Sequence, residues 1–293
     1  MTAIILPIYN EGRLIARMLD GLETALSPLN EYRFTVFAVD DGSDDNTLQA
    51  LNDYAFEAPH ITLQVVSRPF NEGHQTAIAD GISAALKTDA QNFIIMDSDG
   101  QDDPAVIPEL LEYRDLDYVP VARSGRKDGV LFRFFYGIFL LKFRFITGQT
   151  MDCGNFCLIS RRVAESLQGR HFVHLAAHLH QRRPARYKKI TWPRQERLDG
   201  RSKMNFLGLV RYGFNALAEF REQFIFFFLK LSLTFIGLWL IGLAVVLYKK
   251  FISQEAILGW TSIMGSVLIL AALICFGFFA LGIVLLHQTK DRK

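Results

Sequence analysis

Ionisable side chains are almost absent from two long stretches in the last third of this 293-residue chain. From Leu231 to Tyr248 the tyrosine is the only ionisable group, and Ala256 to Leu286 contains no Asp, Glu, Lys, Arg or His. Each stretch is long enough to cross a hydrocarbon core, which takes roughly 20 apolar residues as helix. Buried helices of a soluble core are rarely so long and so free of charge, so the sequence predicts two transmembrane helices.

Cysteine is also scarce, with three residues in the chain. Cys153 and Cys157 are spaced like half of a metal site, but no second pair accompanies them. We interpret all three, with Cys275, as small buried hydrophobic residues of a protein in a reducing compartment. The net charge is only +2 and no basic block with interleaved aromatic residues occurs, so no nucleic acid partner is expected.

The first residues, MTAIILPIYNEGR, lack the basic start and the small-residue cleavage site of a signal peptide, and none is expected. The sequence therefore predicts a multi-pass protein of the inner (cytoplasmic) membrane whose soluble part faces the cytoplasm. Basic residues at Arg211, Arg221 and Lys230 agree with this orientation, whereas Lys249 and Lys250, between the two helices, oppose it. The expected parts are a soluble domain at 1–205, a juxtamembrane amphipathic helix at 206–223, two membrane helices within 224–289, and a cytoplasmic tail at 290–293.

Strand and helix patterns alternate in the soluble part. The apolar runs predict strands at Ala3–Ile8, up to Val39, at Ile61–Ser67 and at Phe93–Met96, and helices at Gly12–Ala25, after Asp44 or Asp45, and from about His74 to Leu86. This alternation predicts an α/β fold with a parallel sheet covered by helices on both faces. Ligands of such sheets bind at the carboxyl ends of the strands.

Acidic and amide side chains follow three of these strands, at Asn10 and Glu11, at Asp40 and Asp41, and at Asp97, Asp99 and Gln101. The carboxyl ends of parallel strands share one edge of a sheet, so we expect these groups to converge there. Such a crowd of carboxylates repels itself unless a cation is bound. Hard oxygen ligands of this kind suit Mg²⁺ or Mn²⁺, which also bind the phosphates of a substrate.

The motifs LPIYNE at 6–11, VDDGSDDNT at 39–47, NEGHQTAIADGISAAL at 71–86 and MDSDGQDDP at 96–104 resemble, in order and spacing, the family-2 glycosyltransferases with a GT-A (Rossmann-like) fold. RQERLDGRSK at 194–203, followed by two membrane helices, resembles the polyprenyl-phosphate branch of that family, which includes dolichyl-phosphate mannose synthases and bacterial undecaprenyl-phosphate glucosyltransferases. The resemblance covers about residues 1–290.

The resemblance assigns roles to matched positions. It implies that the nucleoside of a sugar nucleotide is held by Pro7, Tyr9, Glu11, Val39 and Asp41. Asp97, Asp99 and Gln101 would hold the Mg²⁺ or Mn²⁺ that grips the diphosphate, and Arg123 would lie near the donor. The remaining matches, Arg197, Ser202 and Lys203, would meet phosphate groups, with Arg as a bidentate fork and Lys as a point charge. Asp97, Asp99, Arg197 and Lys203 are the residues expected to act on the reaction itself.

One departure from the family pattern is the lack of any Asp or Glu from Gln168 to Gln195, where many members place an acidic general base. A hydroxyl acceptor would need that base. A phosphate monoester would not, because its second pKa is about 6 and it is already anionic at pH 7. The departure favours a lipid phosphate acceptor, and Asp152 stays open as an acceptor-side acid.

Four histidines, at 171, 174, 178 and 180, lie in this stretch. His174 and His178 would share a helix face at metal-pair spacing, but without a nearby carboxylate we expect a partly exposed basic helix that meets lipid headgroups or phosphate. The segment VLFRFFYGIFLLKFRF at 130–145 reads as a helix in the membrane interface, since it combines apolar residues with Arg133, Lys142 and Arg144. The segment at 204–223 is likewise predicted to form a helix in the membrane interface.

The resemblance thus implies an inverting, metal-dependent glycosyltransferase that moves one sugar from a UDP- or GDP-sugar to polyprenyl phosphate at the lipid bilayer. One alternative is an enzyme that acts on a hydroxyl group of a polysaccharide or glycolipid, although no Q-x-x-R-W motif is present. The other is a non-catalytic membrane protein that retains a nucleotide-sugar-binding fold. The sequence leaves the identity of the sugar open, and it leaves a homo-oligomer open as the assembly.

Overall fold

The computed structural model describes residues 1–124, 130–149, 153–169, 172–193, 195, 214–215, 217–254 and 259–290. The chain forms two compact units. The first consists of Met1–Tyr136 and Met151–Glu219, and the second of Gly137–Thr150 and Phe220–Lys293.

The first unit begins with four parallel strands separated by helices. In chain order they are β1 (Thr2–Ile8), α1 (Ile15–Leu26), β2 (Phe34–Asp40), α2 (Thr47–Asp53), β3 (Ile61–Ser67), α3 (His74–Ala85) and β4 (Asn92–Ile95). β1 pairs in parallel with both β2 and β4, and β2 pairs in parallel with β3. The alternation predicted from the sequence is confirmed here to within a few residues.

The rest of the sheet is mixed, so the prediction of a parallel sheet is wrong for its second half. A 3₁₀ turn and α4 (Ile107–Glu112) lead to β5 (Tyr118–Ser124), followed by α5 (Val130–Thr147), β6 (Cys153–Ser160), α6 (Arg161–Leu167), α7 (Leu175–Gln181) and β7 (Ile190–Pro193). The strand order is β3-β2-β1-β4-β6-β5-β7. β6 runs antiparallel to its neighbours β4 and β5, and β5 pairs in parallel with β7. β4, β5 and β7 therefore all run in the same direction.

Helices cover both faces of the sheet, as the sequence predicts. α1 buries a stripe at helical spacing on one face: Ile15, Met18, Leu19, Leu22 and Leu26. α3 packs on the other face through Ala77, Ile78, Gly81, Ile82 and Ala85. A Cβ atom on Gly81 would lie 2.5 Å from Cγ2 of Ile5 in β1, so α3 approaches the sheet at a distance that only glycine permits.

The second unit is dominated by two 31-residue helices, α8 (Arg221–Phe251) and α9 (Trp260–Lys290). Both are long and apolar enough to cross a membrane, and their side chains are mostly exposed, unlike those of a soluble core. The two helices pack closely. Oγ of Ser232 donates to the carbonyl oxygen of Ala272 at 2.9 Å, and a Cβ on Gly282 would lie 2.7 Å from Cγ1 of Ile225.

Helix α5 occupies the segment in which the sequence predicts an interfacial helix. Its helical structure is confirmed. In its second half Leu141 and Phe145 are 70% and 77% exposed, and Phe143 packs edge-on against Phe220 at 5.2 Å between ring centres. Its position in a membrane interface stays a prediction.

Candidate active site

The carboxyl ends of β2, β1 and β4 lie side by side because these strands are parallel neighbours in the sheet. The loops that follow them meet directly. Oγ of Ser98, after β4, donates to the carbonyl oxygen of Pro7 in β1 at 2.9 Å, and the backbone N–H of Asp41 donates to the carbonyl oxygen of Ile8. The acidic groups predicted to converge therefore come together at one rim of the sheet.

The loops after β1 and β2 are locked together by reciprocal bonds. The N–H of Asn10 donates to Oγ of Ser43, and the N–H of Asp44 donates to Oδ1 of Asn10, each at 2.9 Å. Asn10 has φ +54°, a left-handed conformation that Asn tolerates better than most residues. The ring of Tyr9, which is 40% exposed, is tied to the same loop by a 3.3 Å bond from its hydroxyl to Oδ2 of Asp44. These bonds hold Tyr9 at the rim.

Of the residues assigned to the nucleoside, Val39 is fully buried in β2. The N–H of Glu11 donates to Oγ1 of Thr47 at 2.9 Å, so the backbone of Glu11 is fixed by the start of α2. Pro7 is buried within β1, where its carbonyl oxygen accepts the bond from Ser98. The structure brings Pro7, Tyr9 and Glu11 to the same rim, and their contact with a nucleoside stays a prediction.

Asp41 shapes the loop that follows β3. Its buried carboxylate accepts from Nη1 of Arg68 at 2.9 Å, from the N–H of Glu72 at 3.1 Å and from the N–H of Gly73 at 2.8 Å. Gly73 has φ +99°, which favours glycine, and directly precedes α3. Asp41 therefore positions the first turn of α3 at the rim. The sequence gives no sign of this arrangement, because the partners are distant from Asp41 in the chain.

The segment after β4 folds into a tight acidic turn. The N–H of Asp97 donates to Oδ2 of the buried Asp102 at 2.9 Å, and the N–H of Gln101 donates to Oδ1 of Asp99 at 3.0 Å. Gly100, between them, has φ +78°. These bonds fix the backbone of residues 97–101, so that Asp97, Asp99 and Gln101 belong to one turn. We call this segment the D-x-D turn, after Asp97 and Asp99.

This donor set fits a magnesium or manganese ion. Two carboxylates and an amide oxygen are hard ligands, and these ions complete their shell with water and substrate phosphate. Among the residues that the structure describes, no group of three or more His, Cys, Asp or Glu side chains is placed to hold a metal ion by itself.

Sequence reasoning missed His74, the first residue of α3. Its Nε2 lies 3.0 Å from Oδ1 of Asp97. Burial lowers the pKa of His74, but the hydrogen bond to Asp97 and the nearby charges of Asp99 and Asp102 raise it by more, so that the net shift is upward. The motif NEGHQTAIADG contains this histidine, but no spacing in the sequence connects it to Asp97, which belongs to a later motif.

The last strand brings another segment to the rim. Oδ2 of Asp103 accepts from Nε1 of Trp192 at 3.1 Å and from Nε2 of Gln195 at 2.8 Å, and the N–H of Gln195 donates to the carbonyl oxygen of Gln101 at 3.3 Å. The predicted phosphate-contacting residues Arg197, Ser202 and Lys203 lie outside the described residues, as does Asp152. Arg123 lies in β5, with its side chain outside the described part.

The expectation of a partly exposed basic histidine helix is wrong for His174 and His178, whereas His180, near the end of α7, is half-buried; His171 lies outside the described residues. His174 and His178 are buried, at 1% and 9% exposure. A carboxylate does accompany them, because Glu219 accepts from the N–H groups of Val173 and His174, and from Nδ1 of His178 at 3.0 Å. Sequence reasoning missed Glu219 because it lies far along the chain, just before the first long apolar helix.

The pKa values of His174 and Glu219 are both shifted from their usual values. The pKa of His174 falls to about 4, chiefly because burial disfavours its charged form. Burial raises the pKa of Glu219, but the bonds from His178 and the two backbone N–H groups lower it by more, so the net shift is downward. Glu219 is thus a carboxylate held by three donors rather than a base ready to accept a proton.

Comparison with known proteins matches residues 3–167 to the model of glycosyl transferase family 2. YkcC of Bacillus subtilis (strain 168), an uncharacterized glycosyltransferase, is 23% identical over 99% of this chain and 91% of that protein. The undecaprenyl-phosphate 4-deoxy-4-formamido-L-arabinose transferase of Klebsiella pneumoniae (strain 342) is 27% identical over 71% of this chain and 64% of that protein.

Among solved structures, mannosyl-3-phosphoglycerate synthase from Rubrobacter xylanophilus matches with a TM-score of 0.52 and 14% identity, over 75% of this chain and 72% of that one. At this identity the match shows the fold alone. It agrees with the GT-A-like α/β fold predicted from the sequence.

Proposed function

The chain belongs to glycosyl transferase family 2, and from that premise we propose that it transfers a single sugar from a nucleotide sugar to polyprenyl phosphate. The observation that carries the proposal is the rim at which three strand ends bring together Tyr9, the Asp41 loop and the D-x-D turn. A nucleoside and its metal-bound diphosphate match this combination of an aromatic ring and hard oxygen ligands.

Three features support a lipid phosphate as the acceptor. The chain carries two helices of membrane-spanning length and composition, which associate it with a membrane. The Klebsiella pneumoniae relative is named for transfer to undecaprenyl phosphate. Glu219 is buried and holds three donors, so it does not supply the general base that a hydroxyl acceptor would need.

In the proposed reaction an oxygen of the lipid phosphate attacks the anomeric carbon as the bond from that carbon to the nucleoside diphosphate breaks. The bond forms on the face opposite the leaving group, so an α-linked donor gives a β-linked product. Asp97, Asp99 and Gln101 would hold Mg²⁺ or Mn²⁺, which supplies Lewis-acid stabilisation of charge on the leaving diphosphate. Arg197 and Lys203 would neutralise the two phosphate groups as they approach each other.

We further propose that the first unit faces the cytoplasm. Arg221 and Lys230 in the first part of α8 follow the positive-inside rule, whereas Lys249 and Lys250 at its end oppose it. A donor made in the cytoplasm would then reach the rim directly. UDP- and GDP-sugars both remain candidates.

The test is a transfer assay with purified full-length protein in detergent, undecaprenyl phosphate, Mn²⁺ or Mg²⁺, and a panel of radiolabelled sugar nucleotides. Label that enters the organic phase with one donor, and not in the presence of EDTA, would support the reaction class and identify the sugar. Absence of label with every donor, while nucleotide still binds, would contradict the polyprenyl phosphate acceptor and favour a hydroxyl acceptor or a non-catalytic role.

Asp99→Asn should reduce turnover in this assay by about 100-fold or more, because charge stabilisation of several kcal/mol depends on the metal and each 1.36 kcal/mol is tenfold in rate. Asp89→Asn is the matched control, since Asp89 is exposed and precedes β4 at the opposite edge of the sheet. Both variants should fold. Normal turnover by Asp99→Asn would remove Asp99 from the metal site.

A further inference from the structure

The first turn of α3 connects the D-x-D turn to the start of α7 through two adjacent side chains. The N–H of Leu175 donates to Oε1 of Gln75 at 2.7 Å. Nε2 of Gln75 lies 3.3 Å from Nδ1 of His74, and Nε2 of His74 lies 3.0 Å from Oδ1 of Asp97. We call this continuous path the relay. All of its members belong to the first unit.

The direction of each hydrogen bond in the relay follows from its two ends. A backbone N–H only donates, so the atom of Gln75 that faces Leu175 is the amide oxygen. The amide nitrogen of Gln75 then faces His74, and because it also only donates, Nδ1 of His74 is the acceptor. In the neutral form of His74 the proton is therefore on Nε2, where it is donated to the carboxylate of Asp97. Gln75 selects this tautomer.

The end of the relay at Leu175 is itself held in place. Glu219 accepts from the N–H groups of Val173 and His174, immediately before Leu175, and Oδ1 of Asn155 accepts from the N–H of Ala176 at 3.4 Å. The anchor for Gln75 is thus a backbone segment bonded on both sides. A bond from a fixed donor limits the rotation of the Asp97 side chain, whose backbone is already set by Asp102.

We propose that His74 is a positioning residue that orients the Asp97 carboxylate for the metal-bound diphosphate, and that Gln75 ties this orientation to the start of α7. The inference rests on the proposed function, because it assumes that Asp97 is a metal ligand. It adds residues that act through Asp97 without touching metal or donor. Outer-shell partners of this kind orient the ligands that they contact.

The test measures Mn²⁺ binding by electron paramagnetic resonance, on the full chain in detergent, with Mn²⁺ alone and with uridine or guanosine diphosphate added. His74→Ala should weaken Mn²⁺ binding by about 10-fold to 100-fold, the usual cost of removing an outer-shell partner. His74→Gln should recover most of the lost affinity, because its amide nitrogen can donate where Nε2 did. Thr76→Ala, on the same helical turn, loses a bond to the carbonyl oxygen of Glu72 and should bind as the unmodified protein does.

Coupling between His74 and Gln75 is tested with the double variant. Gln75→Ala should weaken Mn²⁺ binding several-fold in the unmodified protein and have no further effect in His74→Ala, because both residues act through one bond. Additive losses would contradict the relay, as would unchanged Mn²⁺ binding by His74→Ala or a failure of His74→Gln to recover it.

The outcomes separate this inference from the proposed function. If Mn²⁺ binding depends on His74 but no sugar reaches the lipid, the relay stands and the acceptor is wrong. If sugar is transferred to the lipid and His74→Ala binds Mn²⁺ normally, the function stands and the relay is overturned. An unmodified protein that binds no Mn²⁺, with or without nucleotide, would overturn both the metal site and the relay.

Discussion

At the scale of single residues, Asp117 is a carboxylate with several hydrogen-bond donors in the first unit. It is fully buried just before β5 and accepts from Nε and Nη2 of Arg186 at 3.1 and 2.9 Å, from Arg162 and from Oγ of Ser160 at 3.0 Å. The bond from Arg186 is the main reason that the pKa of Asp117 falls to about 2. Asp117 thereby ties β5 to the end of β6 and to the segment before β7.

Asp117→Asn should lower the stability of the first unit by about 2 kcal/mol, because a pKa shift of that size corresponds to 1.36 kcal/mol per unit. The contribution is complete above the unfolded pKa of roughly 4 and is lost as the pH falls towards 2. The midpoint temperature of thermal unfolding should therefore be about 5 °C lower in the variant than in the unmodified protein at pH 6, and this difference should be smaller near pH 3. Asp115→Asn, at an exposed position two residues earlier, should change stability by less than about 0.5 kcal/mol. A difference in midpoint temperature that did not depend on pH would mean that the charge of Asp117 does not contribute to the stability of the first unit.

Sequence reasoning identified the acidic residues of the rim but not what holds them. Asp97, Asp99 and Asp41 stand out because they follow apolar runs, which is a local pattern. The partners of Asp41 and Asp97 in the folded chain, Arg68 and His74, belong to other segments of the sequence. Nothing in the spacing of a sequence reports such pairs, because the fold alone brings them together.

At the scale of elements, the contact of α3 with the sheet depends on Gly81. A Cβ atom there would lie 2.5 Å from Cγ2 of Ile5 and 3.0 Å from Cγ2 of Val39. Since α3 begins with His74 and Gln75, a displacement of this helix would also displace the relay.

Gly81→Ala should destabilise the first unit by about 1–3 kcal/mol, the usual cost of inserting a methyl group into a packed core. Gly21→Ala is the matched control in α1, where a Cβ meets nothing within 4 Å. There the substitution should stabilise by about 0.5–1 kcal/mol, because alanine is the better helix former. Thermal unfolding of the two variants measures these opposite changes in stability, and Mn²⁺ binding is a second readout. Equal stability of both would show that α3 can move away from the sheet without cost.

The first four strands were predictable from the sequence because each is an apolar run between helical patterns. The direction of β6 was not. An antiparallel strand inserted between β4 and β5 changes no local periodicity, and helices separate it from both of its pairing partners along the chain. The mixed sheet therefore appears only in the structure.

At the scale of the whole molecule, a crossing of the membrane by both apolar helices would place the residues before α8 and after α9 on the same side. The turn that follows α8, which contains the exposed Ser253, would then lie on the opposite side. The absence of charge over about 20 residues is a local property, so the two helices were readable from the sequence.

Ser253→Cys should react with a membrane-impermeant maleimide in right-side-out vesicles, because it would face the outside. Thr24→Cys, in the exposed part of α1, should react only after the vesicles are opened. The unmodified protein, with its own three cysteines, sets the background. Labelling of Thr24→Cys in sealed vesicles would place the first unit outside and contradict the cytoplasmic orientation.

The position of Glu219 sets a limit on how far the chain can be shortened. A soluble version that ended at residue 205 would remove the carboxylate that binds the N–H groups of Val173 and His174 and the ring of His178. A version that ended at Phe220 would keep these bonds and omit both apolar helices. Glu219, two residues before the first of those helices, is therefore the last residue whose contacts a detergent-free preparation of the first unit has to retain.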